Sequence, residues 1–431
     1  MTRRRLESLR TEMQKCTRCS LCKMVPMPTV QNAKYANACP PVNANHFHAY
    51  SGGGLQVMAL SLIDGRIEVD EDLARVAFAC TTCGLCDVSC KFIMEAERQD
   101  VILALREHIV AEGYGSKAHE AAIERLARTG YANGTPSVEQ LDWAKGLGLK
   151  TLPNEGADVL LYTGSAAYRH PAEAQKARRL AELLLVAGLE VGVLGREPDA
   201  GMEAFWTGHR NAFEQQATKV CNRLDESGVK RIVVTSGSHL GLLRGHYPRY
   251  ARAPLAEVVH ASELLDELLR DGRLRLPKPI RRTVTYHDPC YLGRQSEPPQ
   301  PWSGVEKMSH GVLTYFDPPK PMNYGVNGVF DAPRRILDGI EGLQRIEMHR
   351  IREYSFCCGG GGGVPDSHPE VARTAATSRM EEAQDVGAEA MVTACLYCAQ
   401  NLDRWESSAS MPVLDLIDLV YEAAGLEGGA R

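Results

Sequence analysis

The chain has 431 residues, with 49 Lys and Arg against 54 Asp and Glu, a formal net charge of −5. Hydrophobic residues make up 44% and charged residues 24%, which excludes a disordered or collagen-like chain. No basic excess is available to neutralise phosphates, so nucleic acid is not an expected partner. At about 150 residues per domain, the length suggests two to four domains.

Met1–Lys15 is polar and charged, without the apolar stretch of a secretory signal. Arg3–Arg5 with Arg10 reads as a solvated helix face, or as a basic patch that docks an acidic partner. No run of about 18 apolar residues occurs anywhere, so no membrane span is expected. The expected compartment is the cytoplasm, where thiols stay reduced. Contact with a membrane would come only through a partner.

Residues 1–125 carry eight of the 14 cysteines and read as helices joined by cysteine loops. Glu71–Ala79 and Ala96–Glu112 are predicted helices, the second with Val101, Ile102, Leu105, Ile109 and Val110 at helical spacing. Cys16-x2-Cys19-x2-Cys22 is followed by Cys39-Pro40, and Cys80-x2-Cys83-x2-Cys86 by Cys90. Three thiolates within seven residues can wrap one face of a cubane cluster, and the fourth ligand must come from elsewhere. In two-cluster ferredoxins the remote cysteine of each motif serves the other cluster. That logic assigns Cys16, Cys19, Cys22 and Cys90 to one 4Fe–4S cluster, and Cys80, Cys83, Cys86 and Cys39 to the other. Two structural zinc sites are the competing reading, for which the triple Cys-x-x-Cys-x-x-Cys is crowded. The long gap between Cys22 and Cys39 sets the Cys39 assignment apart. Nearby, His46 and His48 read as surface or hydrogen-bonded histidines, or as groups tuning a cluster. Ser51-Gly52-Gly53-Gly54 reads as a lone glycine turn, without the context of a nucleotide fingerprint.

Residues 126–153, with Gly130, Gly134, Pro136, Gly146, Gly148 and Pro153, read as a linker with one short helix. Beyond it, strand and helix alternate. Asp158–Tyr162, Glu190–Leu194 and Arg231–Thr235 are predicted strands, and Pro171–Ala187 an amphipathic helix. Cys221 falls in a predicted helix and reads as a small core residue. The same order recurs after residue 275 with Val284–His287, Leu343–Met348 and Ala390–Ala394. Ala200 to Gly237 and Cys358 to Cys395 are both 37 positions apart. The two halves therefore read as an internal duplication, 154–275 and 276–431, each with a parallel sheet. The expected class is α+β multidomain: a mainly helical two-cluster ferredoxin-like domain, then duplicated α/β domains.

The second copy carries Cys290, Cys357, Cys358, Cys395 and Cys398. The first has Ser165, Asp199, Ala200, Gly237 and Leu240 at those positions. Five cysteines at strand ends converge on one sheet edge, where such folds place ligands. Five exceed what one tetrahedral metal needs. Gly359, Gly360 and Gly361 would let backbone approach cluster sulfur. The second copy also has a surplus at 296–327, rich in proline, which reads as a surface loop or as a lid or docking surface.

His287-Asp288-Pro289-Cys290, Ala332-Pro333-Arg334, Cys357-Cys358-Gly359-Gly360-Gly361-Gly362 and Cys395-Leu396-Tyr397-Cys398 resemble the cysteine-rich CCG domain. That domain occurs in heterodisulfide reductases and in iron–sulfur subunits of glycolate, lactate and glycerol-3-phosphate dehydrogenases. With the eight-cysteine module before it, the chain resembles the D-type component of heterodisulfide reductase. The resemblance implies that Cys290, Cys357, Cys358, Cys395 and Cys398 hold one non-cubane 4Fe–4S cluster. It also implies disulfide cleavage between two such clusters, but the first copy lacks every thiol, and Asp199 with His239 is a poor substitute. The expected function is therefore electron relay in a multi-subunit oxidoreductase. A flavoprotein partner would be of heterodisulfide-reductase-A or dehydrogenase type, with further electron-transfer subunits or quinone as other partners. The alternative is direct reduction of a disulfide or quinone at the non-cubane cluster. A zinc-stabilised scaffold is the third reading. No catalytic residue is assigned.

Overall fold

The computed structural model describes residues 2–26, 29–30, 32–134, 141–310, 313–405 and 411–426. Its first part is helical. Ser51 caps the helix Gly52–Ile63 by accepting the Gly54 N–H at 3.0 Å. Asp70 caps Glu71–Phe78 by accepting the Leu73 N–H at 2.7 Å. The helix expected over Ala96–Glu112 runs from Arg98 to Ala111. Nearly all of it is buried, Arg98, Arg106 and His108 included, as befits a central helix. Its Val101 and Leu105 join Leu6, Leu55, Leu73 and Phe78 in one apolar cluster.

Five parallel strands follow: β1 (Lys150–Leu152), β2 (Val159–Tyr162), β3 (Val191–Leu194), β4 (Arg231–Val234) and β5 (Glu257–His260), in the order β1-β3-β2-β4-β5. The second parallel sheet is built from β6 (Arg282–Tyr286), β9 (Leu343–Arg345), β10 (Ala390–Thr393) and β11 (Val413–Asp415), in the order β11-β10-β6-β9. Read from the edge beside the central strand, β3-β2-β4-β5 and β9-β6-β10-β11 have the same order. Strands β2, β3 and β10 are buried throughout, which explains their unbroken apolar runs. One apolar cluster spans both sheets, with Leu160 and Val233 from the first and Val284 and Val392 from the second. Cys221 is fully buried in this core.

The sheets meet closely. The Gly237 N–H donates to the Ala394 carbonyl at 2.9 Å. A Cβ on Gly237 would stand 2.6 Å from Leu292 Cβ, which accounts for glycine there.

Two segments differ from their expected form. The 126–153 stretch ends in β1, an edge strand of the first sheet, and buries Tyr131, Ala132 and Trp143. It does hold the short helix expected of it, Asp142–Ala144, while residues 135–140 lie outside the described residues. The 296–327 surplus contains a hairpin, β7 (Val305–Ser309) against β8 (Leu313–Asp317). It packs on the helical part: Lys91 Nζ donates to the Asn323 carbonyl at 3.0 Å, and the Phe92 and Tyr324 rings lie 4.7 Å apart.

Candidate metal centres

The two triple-cysteine loops share one backbone course. Arg18 and Ser20 flank Cys19, as Thr82 and Gly84 flank Cys83, and all four have φ between +49° and +71°. These left-handed residues curl each loop so that successive cysteines face inward. Cys16, Cys19, Cys22 and Cys90 line one cavity, together with His48, Gly53 and Arg98. Cys39, Cys80, Cys83 and Cys86 line a second, with Gly52 and again Cys22. Cys22 thus borders both. Cys39 enters from the start of the short helix Pro40–Asn45, with Pro40 at its first position.

The run Ser51–Gly54, expected as a lone turn, is the partition between these cavities. The Gly53 N–H donates to Cys22 Sγ at 3.3 Å. A Cβ on Gly52 would lie 2.9 Å from Cys86 Cβ and 3.0 Å from its Sγ. No sequence pattern points to Arg98. It is 1% exposed, and its Nε donates to Cys90 Sγ at 2.9 Å. Its Nη1 is held by the Glu12 carbonyl at 2.8 Å and by Gln56 Oε1 at 3.2 Å. His48 approaches Ser51 Oγ at 3.3 Å, and His46 ends the Pro40–Asn45 helix with φ of 51°.

The third set lies beyond β6 and β10. Cys358 Sγ stands 3.2 Å from Cys398 Sγ, and His287, Cys358 and Cys398 place ligand atoms within 4.8 Å of one another. The Gly359 and Gly360 N–H groups donate to Cys357 Sγ at 3.3 Å and Cys358 Sγ at 3.4 Å. Gly361 instead packs against the Thr81 carbonyl. Cys83 and Cys357 lie in one buried cluster, with Cys290 packed against it. The second and third thiol sets therefore meet in one cluster, at Cys83 and Cys357. Arg294 lies beside them, with Nε donating to the Cys83 carbonyl at 2.7 Å and Nη1 to the carbonyls of Glu353 and Ser355 at 2.9 and 2.8 Å.

Burial pushes the Cys80 and Cys90 thiols up to about 11, and pushes Cys39 and Cys86 well above the ordinary range. A hydrogen bond from Cys398 draws Cys395 down to about 6. Buried free thiols pushed up in this way are protonated at neutral pH, so metal binding releases protons. The donor sets suit iron–sulfur clusters: thiol sulfur grouped in four, four and five, with backbone N–H bonds to sulfur and glycine where a Cβ would intrude.

The first α/β unit has no comparable set among the described residues. Asp199 Oδ1 accepts the Gly201 N–H at 2.8 Å, and Oδ2 accepts the Ala132 N–H at 3.1 Å. Its carboxylate is thus occupied by backbone. Burial lowers His239 to about 3, so its imidazole is neutral and packed on Gly164. Neither Asp199 nor His239 belongs to a group of three or more converging ligand side chains among the described residues.

Residues 12–92 match the 4Fe-4S dicluster domain, and residues 313–403 match the cysteine-rich domain CCG. The first match contains all eight N-terminal cysteines. The second contains Cys357, Cys358, Cys395 and Cys398, with Cys290 before it. The chain is thus an iron–sulfur protein carrying a 4Fe-4S dicluster domain and a CCG domain.

Curated relatives are similar over most of the chain. The D component of the dihydromethanophenazine:CoB–CoM heterodisulfide reductase of Methanosarcina mazei is 28% identical over 96% of this chain and 95% of its own. The protein named "Probable iron-sulfur-binding oxidoreductase FadF" of Bacillus subtilis is 28% identical over 87% of this chain, which spans only 50% of that protein. The EtfAB:quinone oxidoreductase of Syntrophomonas wolfei is 26% identical over 80% of this chain and 46% of its own. A solved structure of a hypothetical protein from Helicobacter pylori covers 76% of this chain and 58% of its own at 11% identity, with a TM-score of 0.46. No helix among the described residues is long and apolar enough to cross a membrane.

Proposed function

We propose that the chain is the electron-relay subunit of a multi-subunit oxidoreductase, passing electrons between a flavoprotein partner and another redox centre. Clusters held by the thiolates named above would supply one-electron transfer. On this reading Cys16, Cys19, Cys22 and Cys90 hold one cubane cluster, and Cys39, Cys80, Cys83 and Cys86 the other. Cys290, Cys357, Cys358, Cys395 and Cys398 hold a non-cubane cluster. The domains are 1–125, 154–275 and 276–431. The matching strand orders support the duplication, of which the first copy holds no cluster.

The observation that carries the reading is continuity. Cys22 borders the first and second cavities, and Cys83 shares a buried cluster with Cys357 of the third set. The relatives' names, a heterodisulfide reductase component and an EtfAB:quinone oxidoreductase, support a partnered redox role. Cys83→Ala tests it. Electron flow between the co-purified partners should stop, while unchanged turnover in a variant lacking that cluster would overturn the relay.

The alternative, reduction of a substrate directly at the non-cubane site, has one observation in its favour. An open cavity reaches Gly360 and Tyr397, beside Cys358 and Cys398. Turnover by the isolated chain with a chemical reductant would favour it.

A further inference from the structure

A cavity of about 820 Å³ opens between the two α/β units, within the size range of small-molecule sites. One wall is the helix Lys117–Thr129, which presents Ala118, Ala121 and Ala122. Arg169 lies on the first unit's side and Arg404 on the second's. Of the two lining carboxylates, Glu203 accepts from Asn133 and from the Tyr397 hydroxyl, both at 2.9 Å. The other, Asp366, forms no ion pair with Arg169 or Arg404 among the described residues.

Arg169 is the telling residue. It stands four positions after Ser165, as Arg294 stands four after Cys290. Arg294 is engaged by three carbonyls, one of them Ser355 O. The matching carbonyl in the first unit, Glu197 O, is already taken by the Tyr131 hydroxyl at 3.0 Å. Arg169 Nε is itself buried without a hydrogen-bond partner among the described residues. A buried guanidinium nitrogen in that state favours a ligand that accepts from it.

We propose that this cavity binds an organic anion, its carboxylate or phosphate on Arg169 and its apolar body along Ala118, Ala121 and Ala122. The first unit thus exchanged a thiol site for an anion site. A redox role for the ligand, though not its binding, rests on the relay reading above.

Calorimetric titration of the holoprotein with octanoate and with octyl phosphate tests the site. One of the two should bind saturably at one equivalent per chain, and the tighter one names the head group. R169Q should weaken it about tenfold or more, and A121W should block it, with the visible cluster absorption unchanged in both. R231Q, on β4, should bind as wild type. Absence of saturable binding by either probe at millimolar concentration would overturn the proposal. So would wild-type binding in both R169Q and A121W. Calorimetry reads binding alone, so failure here is distinct from failure of electron flow in Cys83→Ala.

Discussion

Arg98 Nε donates to Cys90 Sγ at 2.9 Å from a fully buried position. On the ligand assignment proposed above, a guanidinium against the Cys90 thiolate favours the more negative, reduced state of the centre it faces. Arg98→Gln should therefore lower the reduction potential of the centre that includes Cys90. A shift of about 60 mV is expected, the one-electron equivalent of a tenfold change. Redox titration followed by electron paramagnetic resonance checks it, and the other centres should stay within error of wild type.

Iron content reports the partition of the thiols. With three four-iron centres the chain should carry about 12 iron atoms. Cys19→Ala and Cys398→Ala should each lose about four, from different centres. Iron and acid-labile sulfide analysis of the purified variants gives the count. Zinc without sulfide would contradict it.

Glycine substitutions separate close approach from simple flexibility. A Cβ on Gly360 would overlap the Tyr397 carbonyl, whereas one on Gly195 meets nothing within 4 Å. Gly360→Ala should cost about 1–3 kcal/mol, and Gly195→Ala almost nothing. Thermal melting of the two variants, side by side, measures the difference.

Burial raises Glu197 from 4.5 to about 7, against hydrogen bonds from Thr163 and Ser165. The folded chain keeps a proton there that the unfolded chain releases. This contribution is present below pH 4.5 and is lost as pH rises through about 7. Glu197→Gln removes the titration, worth up to about 3 kcal/mol. The variant's melting temperature should gain on wild type more at pH 8 than at pH 5.

The grouping of the thiols was legible because Cys-x-x-Cys spacing is itself geometry: three thiols in seven residues can line one cavity, as Cys16, Cys19 and Cys22 do. The strands were legible because sheets buried on both faces need unbroken apolar runs such as Val159–Tyr162. Glycine and arginine were harder. Gly52 and Gly53 carry no side-chain pattern, and their role comes from Cys22 and Cys86, about thirty residues away on either side. Arg98 looks like any polar start to a helix until Cys90 is folded against it. The 126–153 segment was too rich in glycine to look anchored, yet Tyr131 and Ala132 bond to the Glu197–Asp199 stretch. The hairpin of 296–327 was hidden by its prolines, which flank β7 and β8 and leave both strands free to pair.

Arg106 is fully buried, and its guanidinium donates to the carbonyls of Ala77, Cys80, Trp206 and Gly362. Those four acceptors belong to the helical part, the first α/β unit and the second. Opening any one of the three strands a buried cation and leaves carbonyls unanswered in the others. The boundaries expected from sequence are thus not seams of melting. Heat or protease should meet one cooperative body, with no fragment that survives alone.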